Sequence, residues 1–162
     1  MPSIQDWVSM YASGHPEVKL RAARGLVQRG QETPLELLVE ILETLNRDGL
    51  GAETERVLLQ RQDPELAAKM IRLLESEDHF VREVACNVLG HSGDKAATPH
   101  LLRMIDDPHI MVRRAAGFGL AFLKDPQSVA ELKRQYARHR DDDINVIMAL
   151  QCAIQSLGAP SS

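Results

Sequence analysis

Aromatic side chains are scarce in this sequence: three Phe, two Tyr and one Trp, 4% of 162 residues. The core must therefore be filled by Leu, Ala, Ile and Val, which suits helices packed closely through small side chains. Cysteine is scarcer still. Cys86 and Cys152 stand far apart with no metal-type spacing, which argues against a zinc site or a disulfide framework. Two thiols on helical stretches read as small hydrophobes in a reducing compartment, so the expected location is cytoplasmic. Met1-Pro2-Ser3 opens no basic-then-apolar leader, and no apolar run approaches membrane-spanning length. An excess of positive charge is missing too. With 19 Lys and Arg against 23 Asp and Glu, the formal charge is -4, and no global field draws a phosphate backbone or an anionic lipid surface. No segment keeps the alternation of a strand between turn signals.

What is present is a repeat. The stretch 106–133 reads DDPHIMVRRAAGFGLAFLKDPQSVAELK: an acidic turn with Pro108, an apolar helix to Leu123, a Lys-Asp-Pro turn, and a second helix from about Ser128. Shifted back by 31 residues, its two helices fall within 78–104. Val112-Arg113 falls on Val81-Arg82, Leu120 on Leu89 and Asp125 on Asp94. One further repeat back, Leu58 and Asp63 take the same roles, and Val18 to Leu26 copies the helix start near the N-terminus. Val146 to Ile154 copies Val112 to Leu120 once more. A fixed period of this size signals stacked helical hairpins, none of which can bury its apolar face alone.

Local signals place the elements. Ser3 and Asp6 suit the start of a short leading helix ending near Tyr11, which we read as a lid over the first repeat. Pro16 opens a helix that Gly30 stops, and Leu35 to Leu45 forms its partner. Residues 46–51 form a loop containing two glycines. Helices are then expected over 52–60, 63–74, 78–89, 96–105, 109–123 and 128–137, with a final helix over 144–157 after Asp141, Asp142 and Asp143. The five residues after Leu157 end that helix in a frayed tail.

The turn Asp, Val-Arg, paired small residues, Leu and the second turn Asp resemble HEAT repeats, in particular the short HEAT-like repeats typified by the phycobilisome lyases. The resemblance implies an all-α fold, a right-handed α-α superhelix (HEAT-like solenoid). It has about four helical hairpins and an end helix at each terminus. The expected organisation is a single domain, 1–162. Its approximate repeats are 15–46, 48–75, 78–105 and 108–138, with an N-terminal helix over 3–12 and a capping helix over 143–158. Second helices are expected on the concave side, as in HEAT arrays. Such a fold hosts many activities and names none.

No residue set demands catalysis, a cofactor or a metal. Asp63, Asp94 and Asp125 read as helix caps or as partners of basic residues in neighbouring repeats. HEAT-like hydroxylases carry His-Glu pairs as iron ligands. None of the six histidines here is followed by Glu, and His15, His79 and His109 are read as solvated helix-start residues, too far apart to share a metal. Gly117-Phe118-Gly119 lies inside a helix after no strand, so it serves close helix contact rather than a phosphate. Met111, Phe118 and Phe122 are read as core.

The expected function is a non-catalytic protein-binding scaffold. The alternative is a subunit of an enzyme resembling the HEAT-like bilin lyases, which work in pairs. Nucleic acid is disfavoured, because the second-helix face runs from acidic to basic instead of being uniformly cationic. The candidate contact residues on that face are Glu36, Glu40, Glu43, Arg72, Arg103, Lys133, Arg134 and Arg138. A second candidate partner patch lies on the last helix: Ile144, Met148 and Cys152.

Overall fold

The computed structural model describes residues 2–141 and 143–158. Asp142 of the acidic triplet and the tail after Gly158 lie outside the described residues. Among those described there is no strand, and ten α-helices are joined by turns and short 3-10 segments. The chain divides into two compact units, 1–66 and 67–162.

The first unit contains α1 (Ile4–Ala12), α2 (Pro16–Arg29), α3 (Leu35–Leu45) and α4 (Gly51–Leu58). At the start of α1, the Asp6 amide donates to the Ser3 hydroxyl at 3.2 Å, and the Ser3 amide donates to the Asp6 carboxylate at 2.7 Å. This reciprocal pair satisfies helix-end donors that would otherwise depend on water. Trp7 of α1 lies flat over Gly25 of α2: a Cβ there would stand 2.6 Å from the indole ring. The missing side chain is what lets the lid helix close down. Gly30 ends α2 at φ 42, in the left-handed region where glycine alone is unstrained. Leu26, Leu38, Ile41, Leu42, Leu50 and Leu58 are fully buried, each contributing roughly 1.5–3 kcal/mol of apolar transfer.

The second unit holds α6 (His79–His91), α7 (Thr98–Met104), α8 (Ile110–Leu123), α9 (Val129–Arg138) and α10 (Ile144–Gly158). Most of α5 (Leu66–Leu73) also belongs to it. α8 packs between α6 and α10, while α7 lies against α8 and α9 against α10. Glycines set the spacing of this layer. A Cβ on Gly90 would come within 2.4 Å of the Gly119 Cα, and one on Gly117 within 2.8 Å of the Ala149 Cβ. The Gly-x-Gly of α8 thus permits backbone contact on both flanks. Asp94 and Asp125 each cap a 3-10 turn, accepting from the amides of Ala96 at 2.9 Å and Gln127 at 3.1 Å. Those turns take the first residues of the second helices, so α7 and α9 begin at Thr98 and Val129. Asp63 acts differently: its carboxylate binds the Arg61 guanidinium, with Arg61 Nη2 at 2.8 Å from Oδ1.

The reading of Phe118 and Phe122 as core is overturned. They are 38% and 57% exposed, while Met111 is half-buried. Because α6 and α10 approach α8 along its two glycine flanks, the position between them looks out to solvent. Phe122 instead rests on the His91 ring, centroids 4.3 Å apart.

Candidate partner-binding face

Arg72, Arg103 and Arg134 occupy α5, α7 and α9 at one-repeat spacing, and all three are exposed. Each projects from the exposed face of a second helix whose other side carries the buried Met70, Leu101 or Leu132. Lys133, Arg134 and Arg138 share the exposed side of α9, with Arg134 and Arg138 one turn apart. The structure therefore leaves Arg72, Arg103, Lys133, Arg134 and Arg138 all exposed on α5, α7 and α9 of the second unit.

Acids of the same unit hold several of these cations. Arg103 pairs with Glu75, and Arg134 with Glu131. Arg138 donates to Asp106 at 2.8 Å, and the His139 ring nitrogen lies 3.0 Å from the same oxygen. Side chains of Arg103, Arg134 and Arg138 remain 57%, 73% and 65% exposed. Exposed pairs of this kind contribute about 0–1 kcal/mol each, so an incoming carboxylate can replace the resident one at little cost.

Beside Arg103 lies a groove of about 450 Å³, lined among others by Glu75, Met104 and Asp106. Its floor is a buried ion pair. Arg82 donates to both oxygens of Asp107, at 2.8 and 3.0 Å, and to the Ser76 carbonyl at 2.8 Å. Burial alone would raise the Asp107 carboxyl, but the Arg82 guanidinium and the His109 amide outweigh it and hold the group below the ordinary carboxylate range. Arg113 makes the equivalent bonds one repeat on, to the carbonyls of Asp107 and Pro108. The Val-Arg signature thus fixes the turns between successive hairpins.

The acidic candidates lie in the first unit. Glu36 and Glu43 are exposed on α3. Glu40 is half-buried and already engaged: the Tyr11 hydroxyl donates to it at 3.1 Å and Lys19 at 3.3 Å. Lys19 also sits 4.6 Å above the Tyr11 ring. Nothing in the sequence spacing links Tyr11 to Glu40; only the seating of α1 on the first hairpin does. The candidate patch on α10 is solvent-facing, with Ile144 62% and Met148 56% exposed and Cys152 exposed.

The histidine reading needs one correction. His79 and His109 do meet, their rings stacked at 3.7 Å between centroids and 24° between planes. Face-to-face imidazoles direct their nitrogens along parallel edges, a poor geometry for chelating one ion. Among the described residues, no three His, Cys, Asp or Glu side chains are grouped to hold a metal. No described helix is long and apolar enough to cross a membrane.

These features define an all-helical fold of the HEAT-like kind. Residues 50–117 match the family model of HEAT repeats. No sequence among curated proteins matches the chain. Solved structures match it along nearly all its length. A chain from the complex of CpcE and CpcF of phycocyanin lyase from Nostoc sp. PCC7120 aligns with TM-score 0.71 at 20% identity, covering 98% of this chain and 66% of that one. Human deoxyhypusine hydroxylase, in complex with glycerol, aligns with TM-score 0.62 at 19% identity, over 95% of this chain and 62% of the enzyme. An engineered protein aligns with TM-score 0.64 at 17% identity, over 95% and 78%. This chain therefore spans less than two thirds of the lyase chain and of the hydroxylase.

Proposed function

We propose that this protein is a non-catalytic scaffold that binds another protein through the exposed faces of its second helices. In the second unit, the contact residues are Arg72, Arg103, Lys133, Arg134 and Arg138. Glu36 and Glu43 supply the acidic contacts of the first unit, with Glu40 behind them. The observation that carries the reading is the arginine row: one residue type, at one position, on three successive second helices, exposed each time. A carboxylate-bearing segment of a partner, laid along α5, α7 and α9, meets a cation at each step. Rim charges of this sort steer encounter and fix register more than they supply affinity.

A second reading has its own support. The lyase structure to which the chain is similar is a complex of two proteins. On that reading this chain is a subunit of an enzyme resembling the bilin lyases, and the partner is its companion subunit.

Capture of partners on immobilised protein, quantified by mass spectrometry against Arg134→Glu/Arg138→Glu, tests the proposal. A specific partner whose recovery falls at least fivefold on charge reversal supports it. Equal recovery on both proteins counts against this face. A pigment carried by the captured complex moves the assignment to the lyase-like subunit.

A further inference from the structure

We infer a second binding site in the first unit: a cleft between the start of α2 and the end of α3 that takes an arginine or lysine side chain of a partner polypeptide. The cleft measures about 350 Å³, and its lining is mainly apolar. Pro16, Leu20 and Leu45 form that lining. Two carboxylates, Glu17 on α2 and Asp48 in the 3-10 turn after α3, stand among the lining residues. Both are exposed and have no hydrogen-bond or ion-pair partner among the described residues.

Lys19 also borders the cleft, but its charge is spent elsewhere. Its ammonium lies 3.3 Å from Glu40 and over the Tyr11 ring, and these partners outweigh its partial desolvation and raise its pKa. The field left in the cleft is that of two unneutralised acids above an apolar floor. A neutral apolar group leaves those acids unused, and an anion meets repulsion. A long side chain with an apolar stem and a cationic head satisfies both features, because such stems lie along apolar surface while the head stays at the polar edge. The site is open to solvent along one side, as a side chain entering from a partner requires. It is independent of the arginine row, which lies in the other unit and selects the opposite charge.

The test is a titration of the ¹⁵N-labelled full chain, followed by amide shifts. The probes are acetyl-Ala-Arg-Ala-amide, the same peptide with citrulline for arginine, and benzylammonium. The arginine peptide is expected to shift the amides of Leu20, Leu45 and Asp48 saturably. The neutral citrulline peptide is expected to bind about fivefold more weakly, as loss of contacts to two exposed carboxylates implies. Glu17→Gln/Asp48→Asn, which keeps shape and exposure, should weaken the arginine peptide by the same factor and leave the citrulline peptide unchanged. Glu53→Gln, outside the cleft, should alter neither. Equal affinity for both peptides, an unaffected double variant, an equal loss in Glu53→Gln, or shifts centred elsewhere would each overturn the site. Benzylammonium binding tenfold more tightly than the arginine peptide would overturn the partner side chain as occupant in favour of a free amine.

Discussion

Replacing Gly90 with alanine sets two known effects against each other. In an isolated helix the change is favourable by about 1 kcal/mol, since glycine is the poorer helix former. Here the added methyl would stand 2.4 Å from the Gly119 Cα and 3.1 Å from its carbonyl carbon and oxygen. The obstacle is backbone, which cannot rotate aside as a side-chain tip can. α6 must then move off α8, loosening a layer that includes the fully buried Val81, Ala85, Leu89 and Leu120. Overpacking costs roughly 1–3 kcal/mol, and a backbone clash belongs at the upper end. The net expectation is a loss of about 2 kcal/mol, or roughly 4–8 °C in Tm for a chain of this size. Gly119→Ala should cost less, because its nearest neighbours, the Cys86 carbonyl and a Leu101 methyl, stand at 3.1 Å and the methyl can yield. Thermal unfolding followed by circular dichroism measures both. A Gly90→Ala protein as stable as the parent, or more so, would refute the close approach of these helices.

Three further outcomes follow from the second unit. Asp107→Asn should destabilise by about 3 kcal/mol in urea titrations, because it strands Arg82, whose side chain is only 12% exposed. The parent carboxylate, held below its ordinary value, contributes stability above that value that is lost as pH falls through the folded-state pKa. His109 acts in a higher window: desolvation and the facing His79 lower its pKa, with Arg82 and Arg113 adding to the effect and Asp107 opposing it. A depressed histidine contributes full stability above its unfolded value near 6.5 and loses it as pH drops below that. Tm should therefore fall between pH 7 and 5, and His79→Gln/His109→Gln should flatten the profile. Burial pushes the Cys86 thiol far up, whereas Cys152 is exposed. Ellman's reagent should titrate one thiol in the native protein and two in denaturant.

Much of the helical order was legible because Pro and Gly punctuate it. Pro16, Gly30 and Pro34 bracket α2 and α3, whose expected ranges match the observed ones within about a residue. The second helices were harder. The run at 96–105 has no periodicity that separates a capped 3-10 turn from the first turn of α7. The direction of Phe118 was illegible for another reason. α8 is apolar around most of its circumference, so hydrophobicity cannot say which sides are covered. The Gly-x-Gly at 117–119 held the answer, since small residues mark the flanks where neighbours come close. The His79–His109 stack was missed because axis separation was taken as side-chain separation. The arginines of the candidate face were identified by type and position, but their resident acids Glu75 and Asp106 lie one repeat away and emerge only from the stacking.

The central claim is that the arginine row on α5, α7 and α9 is a recognition face. The most direct measurement is calorimetric titration of a captured partner with the parent protein and with Arg72→Glu, Arg103→Glu and Arg134→Glu, singly and together. The account predicts that each reversal weakens binding, that the triple variant loses at least tenfold, and that the parent's affinity declines with added salt. A triple variant that binds as tightly as the parent, with the same salt dependence, would contradict it.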